Sequence, residues 1–300
     1  MSEQAMTTIP EYLIRRFHEL NVDEGFGIVG DFALKLFDRL THHGFPMLVT
    51  AADEQGAAFA AESYARIRGF GVCGVTYSVG GLKLVNATVG AWAESVPLLV
   101  LSGAPGAAER KGDPLLHHKV KNFDTQLEIY KDLTIAQAVL FNPLTIAQDI
   151  DRVLGEMIVN QRPGYIEIPR DMVDMPIVDN PEPLVIPSPK VDQQRLALAV
   201  KDALALLEGE GDAVALAGVM AVRRGPRGPD LLAFAENFNV PMATTSLSKG
   251  VIPETRPLSI GVYMGAVSPP SVVEQVERAK PLISFGVLYA DLVMGALLIT

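Results

Sequence analysis

Two hydrophobic periods alternate along the first 170 positions. Windows with apolar residues three and four apart predict helices, and short unbroken Val/Ile/Leu runs predict buried strands. The helical period covers residues 8–21, where Leu13, Phe17 and Leu20 share a face, Thr8 stands at the cap and Pro10 in the first turn. It returns over 31–39, 53–68, 80–94 and 146–161. Strand-like runs lie between, over 26–29, 46–50, 71–77, 96–102 and 164–168. Strands that alternate with helices, and that are apolar on both faces, predict a parallel sheet covered on both sides.

Two stretches break the rhythm. Residues 103–124 are rich in Gly, Pro and charge and contain the pair His117-His118. Residues 175–189 carry Pro176, Pro181, Pro183, Pro187 and Pro189, which makes an extended, stiff linker the expectation. Beyond it the alternation resumes, with helices at 195–207, 229–237 and 271–278 and strands at 213–217, 240–244 and 281–287. The expected organisation is therefore α/β, with two parallel-sheet domains. The first spans 1–175, a Pro-rich linker 176–190, and the second 191–300. The second is Rossmann-like and looks cut short.

Composition narrows the function classes. The 300 residues are 49% hydrophobic and 20% charged, enough apolar content for a sizeable core. Net charge is -10 and no basic stripe is visible, so nucleic acid is not an expected partner. The single cysteine, Cys73, allows no internal disulfide, which favours a reducing, cytoplasmic setting. The N-terminus lacks a basic segment followed by an apolar one, so no signal peptide is expected. No apolar run approaches the length of a membrane span.

Candidate chemistry gathers where strands end. Glu54 follows an apolar strand and opens a helix, a place where α/β proteins present reactive groups. In a largely apolar wall such a carboxylate can hold or pass on a proton. Asp31 also follows a strand. The plain reading makes it the cap of the next helix, and a cap at a strand's carboxyl end can also face the crevice. His117 and His118 lie in the long loop. Adjacent histidines ordinarily point apart, and no Cys or acidic cluster has zinc-site spacing, so no metal ligand is expected among these residues. The pair His42-His43 reads as a surface turn. Ser78-Val79-Gly80-Gly81 fits an anion cradle or a plain turn, and the plain turn is preferred. The G-x-G-x-x-G pattern occurs at Gly25-Gly27-Gly30 and at Gly69-Gly71-Gly74. Both fall on strands rather than on a strand-to-helix turn, so a dinucleotide site is not expected.

Taken together, several segments resemble one family. In order, they are Gly30-Asp31-Phe32; Asp53-Glu54 with Glu62-Ser63-Tyr64-Ala65-Arg66; Thr76 to Gly81; Asn86; Gly90-Ala91-Trp92-Ala93-Glu94; Ser102-Gly103-Ala104-Pro105; and His117-His118. They resemble the thiamine-diphosphate-dependent 2-oxo acid decarboxylases, the pyruvate, indolepyruvate and phenylpyruvate decarboxylases. The segments 243–254 and 261–265 are similar to the same family, so the resemblance runs over nearly the whole chain.

The resemblance implies that the first domain binds the aminopyrimidine ring of thiamine diphosphate. Glu54 would hydrogen-bond ring nitrogen N1′. Asp31, His117 and His118 would handle protons on the intermediate and product, and Gly30, Thr76 and Asn86 would shape the ring pocket. The family's third domain grips the diphosphate through Mg2+ with a Gly-Asp-Gly-Ser segment and a downstream Asn-Asn, and neither occurs here. The expectation is half a site, completed by a second chain or a missing domain in a dimer or tetramer. The substrate would be a small 2-oxo acid, with mild preference for an aromatic one. A carboligase sharing the cofactor and a non-catalytic interaction subunit are the competing readings. A nicotinamide oxidoreductase is the third, weakened by the misplaced glycines.

Overall fold

A computed structural model describes residues 5–49, 51–186, 191–209, 211–223 and 228–294. The chain divides into two compact units, Met1–Ser188 and Pro189–Thr300.

The first unit begins with β1 (Met6–Thr7), α1 (Ile9–Glu19), β2 (Gly25–Gly27), α2 (Leu34–His42) and β3 (Met47–Leu48). Next come α3 (Glu54–Arg68), β4 (Gly71–Val75), α4 (Val85–Ala93), β5 (Leu98–Ala104) and α5 (Thr125–Leu133). It closes with β6 (Ala136–Val139), α6 (Ile146–Asn160), β7 (Gly164–Pro169) and β8 (Ile177–Val178). Six strands form a parallel sheet in the order β3-β2-β4-β5-β7-β6. Ile9, Leu13, Phe17 and Leu36 fill one face of it, and Ala58, Ala61, Ala87 and Tyr130 the other. This is the double cover expected of strands apolar on both sides.

Local rules account for most element ends. Thr8 caps α1, with its N–H and hydroxyl on the Glu11 carboxylate at 3.0 and 2.7 Å. Asp53 caps α3 by accepting from the Gly56 N–H at 2.8 Å, and Gly69 ends that helix in the left-handed region at φ 93°. Gly69 is thus a helix cap rather than a strand residue. The glycines of the first G-x-G pattern serve packing: a Cβ on Gly27 would lie 2.1 Å from the Gly74 carbonyl of the neighbouring strand.

Some details depart from the sequence expectation. Residues 80–94 do not form one helix. A 3₁₀ turn over Gly81–Leu84 precedes α4, and just before it the Ser78 N–H donates to the Gln126 side chain at 2.7 Å. The strands β6 and β1 and the helix α5 are not visible in the periodicity. Within the Pro-rich stretch, β8 pairs antiparallel with β1, and Asp179 pairs with Arg15. Residues 187–190 lie outside the described residues, as does Thr50 at the end of the expected strand 46–50.

The second unit contains α7 (Gln193–Leu207), β9 (Val214–Ala217), α8 (Val219–Arg223), α9 (Gly228–Phe238) and β10 (Met242–Thr245). It continues with β11 (Ser259–Tyr263), α10 (Pro270–Arg278), β12 (Leu282–Phe285) and α11 (Asp291–Met294). Its four parallel strands run β11-β10-β9-β12. Starting from β9, the chain builds two strands to one side and then crosses to the other. That order matches the first four strands of a doubly wound dinucleotide-type sheet.

Candidate functional site

The site follows from the strand order of the first unit. β2 hands the chain to β3 on one side, while its neighbour β4 hands it to β5 on the other. Loops leaving two adjacent strands in opposite directions open a crevice at their carboxyl ends. Asp31 follows β2 and Thr76 follows β4, so the two face one another across that crevice. The Thr76 hydroxyl donates to Asp31 at 3.3 Å and accepts from the Phe32 N–H at 3.3 Å. Gly30 makes the approach possible, since a Cβ there would sit 2.5 Å from the Thr76 Cβ.

The expectation that Asp31 caps α2 is corrected. It lies in a turn before that helix, whose cap position is Ala33 with no side-chain bond. Its carboxylate instead meets the long loop after β5. His117 Nε2 is in short contact with Asp31 Oδ2, and His118 Nδ1 stands 3.9 Å from Oδ1. The expectation that the adjacent histidines point apart is also corrected. His118 adopts φ 66°, in the left-handed region, and this turns the chain so that both rings converge, with centroids 4.7 Å apart. The three residues bring their donor atoms within 4.8 Å of one another.

Burial raises the Asp31 carboxyl, but the His117 hydrogen bond and charge, the Phe32 N–H and His118 together outweigh it and hold it below its ordinary value. An ionised Asp31 can only accept, so the proton of a neutral His117 sits on Nε2 and leaves Nδ1 as the acceptor. His118 Nδ1 is buried and has no hydrogen-bond partner.

Glu54 is the first residue of α3, at the same carboxyl edge, with its side chain 17% exposed. Its surroundings are only partly the expected apolar wall. Behind it lies buried Cys73, whose thiol is pushed up first by burial and then by the Glu54 charge. In front, the Lys83 ammonium lies 3.5 Å from Glu54 and 3.1 Å from Asp53. Nothing in the sequence marks Lys83, because it is the 3₁₀ turn before α4 that brings it to α3. Asn86 lies exposed on α4, and no hydrogen bond or ion pair among the described residues joins it to Asp31 or Glu54. The structure thus brings together Gly30, Asp31, Thr76, His117 and His118, and sets Glu54 in a separate acid–lysine group.

A residue whose part the sequence left unread is Phe32. Its ring stacks on His117 with centroids 4.8 Å apart and planes at 15°. It was visible only as the third member of Gly30-Asp31-Phe32.

Comparison with known proteins adds three findings. Residues 7–129 match the N-terminal TPP binding domain of the thiamine pyrophosphate enzymes, and residues 200–298 match their central domain. The chain is similar to an indole-3-pyruvate decarboxylase from Azospirillum brasilense, 34% identical over 287 residues, covering 94% of this chain and 51% of that protein. It is also similar to alpha-keto-acid decarboxylases from Mycobacterium avium (strain 104) and Mycobacterium tuberculosis (strain ATCC 25618 / H37Rv), each 34% identical over 96% of this chain and 51% of the relative. The chain therefore spans about half the length of the curated relatives it matches. No described helix is long and apolar enough to cross a membrane.

Proposed function

Because this chain belongs to the thiamine pyrophosphate enzymes, we propose that it supplies the ring-activating half of a site for the non-oxidative decarboxylation of a small 2-oxo acid. The observation that carries this reading is the cluster of Asp31, Thr76, His117 and His118 at the switch point, with Glu54 on the same carboxyl edge. Residues 1–175 are the pyrimidine-binding domain, 176–190 the linker and 191–300 the middle domain. An aryl or indole 2-oxo acid is the preferred substrate class, in keeping with the name of the Azospirillum relative.

The residues present fit the cofactor's ring. Gly30 lets Thr76 close against the Asp31 turn, and Glu54 offers a partly exposed carboxylate over the Cys73 wall. When bound, thiamine diphosphate supplies the electron sink for carbon–carbon cleavage. Glu54 would hydrogen-bond the ring nitrogen N1′ and hold or pass on the proton exchanged there. Lys83 keeps that carboxylate's charge balanced from the solvent side. Gly30, Thr76 and Asn86 shape the ring pocket. His117 Nδ1 and His118 stand ready to give and take protons at the substrate-derived carbon, and Asp31 orients His117 through Nε2. Mg2+ and the diphosphate are held by a further domain or a second chain within a dimer or tetramer.

The test uses the complex purified from its source with thiamine diphosphate and Mg2+. It should release CO2 from indole-3-pyruvate, and Glu54→Gln should lower turnover by roughly 10²–10⁴-fold, the range of a lost general acid–base group, with an unchanged circular dichroism spectrum. An active Glu54→Gln complex would sink this reading. Native mass spectra of the same sample should show cofactor bound to an assembly, and a cofactor-free homo-oligomer would count against it.

A further inference from the structure

The loop that carries His117 and His118 is fastened to the sheet by two ion pairs of opposite sense. On the loop side stand the neighbours Glu109 and Arg110. On the sheet side stand Glu167 of β7 and Arg170 just past its end. Arg110 meets Glu167 at 2.5 Å, and Arg170 grips Glu109 through both Nη2 and Nε, the latter at 2.8 Å. Asp171 completes the socket by accepting from the N–H groups of Ala107 and Ala108 at 3.0 and 3.3 Å. The outer rung reaches the site itself. The Arg170 guanidinium lies 5.1 Å from the centroid of the Phe32 ring, and that ring is the one stacked on His117.

We propose that Glu109 and Arg170 are positioning residues that hold Phe32, and through it the His117 imidazole, in register with Asp31. Charge coupling across the group agrees. Arg170 is raised first by its bond to Glu109, with Asp31 adding to the effect. Glu109 is held low first by Arg170, with His117 contributing. Crossed pairs also specify one docking of the loop, since a loop slipped by one residue would place like charges together. The proposal rests on the reading of His117 as a proton carrier, but its geometry does not depend on any bound cofactor.

The experiment is proton NMR of the histidine rings in this chain, whose five histidines are assigned by single replacement. Stacked on Phe32, the His117 ring protons should resonate upfield and show contacts to the Phe32 ring. Arg170→Met should lose both, while Arg68→Met, which removes an exposed pair with Asp23, should leave them in place. Should Arg170→Met fail to fold, Glu109→Gln is read instead. It should shift the His117 resonance partway to the value of Phe32→Leu. A His117 signal that stays upfield and keeps its Phe32 contacts in both Arg170→Met and Glu109→Gln overturns the proposal. A purely structural pair would lower the melting temperature without moving that signal. Loss of decarboxylation in the cofactor assay with the NMR pattern as expected would refute the proposed function and leave the clamp standing.

Discussion

The two units follow the same α/β grammar but bury it differently. In the first, six strands are covered on both faces, and charge itself is taken inside. Arg16 has no exposed side-chain surface and is held by Asp151 at 2.7 Å and the Tyr12 hydroxyl at 2.7 Å. Glu167 is 1% exposed, with Arg110 and the Tyr165 hydroxyl on its oxygens. In the second, four strands suffice and both edge strands stay half open. Helix α7 has no buried residue, and Leu196, Leu198, Val200, Leu204 and Leu206 are all exposed. Only Leu207 at its end packs against the core. Equal hydrophobicity in sequence therefore does not mean equal burial. The candidate site sits on the unit with the larger buried core.

Loss of a buried charge partner should expose this difference most. Arg110→Met leaves the buried Glu167 without its ion-pair partner, at a cost of about 3–5 kcal/mol. Trp92, the only tryptophan, belongs to the first unit and reports on it alone. Urea unfolding followed by Trp92 fluorescence should shift to lower denaturant by that amount. A shift under about 1 kcal/mol, the size of an exposed ion pair, would mean that the Arg110–Glu167 pair counts for no more than a surface one.

Matched truncations should sharpen the contrast next. Leu13→Ala in α1 empties a fully buried position and should cost about 2–5 kcal/mol. Leu198→Ala in α7, at 60% exposure, should stay within about 0.5 kcal/mol. Amide exchange should also be fast along α7 and slow along β5. Slow exchange in α7, or a cost above about 2 kcal/mol for Leu198→Ala, would show that α7 is covered in solution.

The sequence made the alternation of elements legible because its signal is local. The capping of α1 and α3 and the runs of β4, β5 and β7 are written in neighbouring residues. Element ends were less legible, as where a 3₁₀ turn over Gly81–Leu84 replaces the start of the expected helix 80–94. Asp31 and the histidine pair stood out at strand ends, the family resemblance grouped them with Thr76, and Asp31, Thr76, His117 and His118 do meet. What could not be read was how they meet. The left-handed turn at His118, the stacking of Phe32 and the approach of Lys83 to Glu54 all depend on pairs 29 or more positions apart, or on one backbone angle that histidine seldom adopts. Asn86 shows the reverse case, a motif position with no described contact to the cluster.

The smallest expected effect is electrostatic and concerns the first unit. Asp174 is pulled down to about 2, first by the hydrogen bond from Arg39 and then by Lys35. Glu11, Asp31 and Glu109 are lowered too. A carboxylate whose folded value lies below its unfolded one adds stability above the unfolded value, here 3.8 for Asp174. That stability is lost as pH falls from there through about 2. Asp174 is 40% exposed, so screening should keep its share to less than about 1 kcal/mol. Trp92-detected stability should accordingly decline between pH 4 and pH 2, and Asp174→Asn should flatten part of that decline while lowering stability at neutral pH by the same amount. If Asp174→Asn left the acid slope unchanged, the pairs with Arg39 and Lys35 would hold no net free energy. The first unit would then differ from the second through its buried contacts alone.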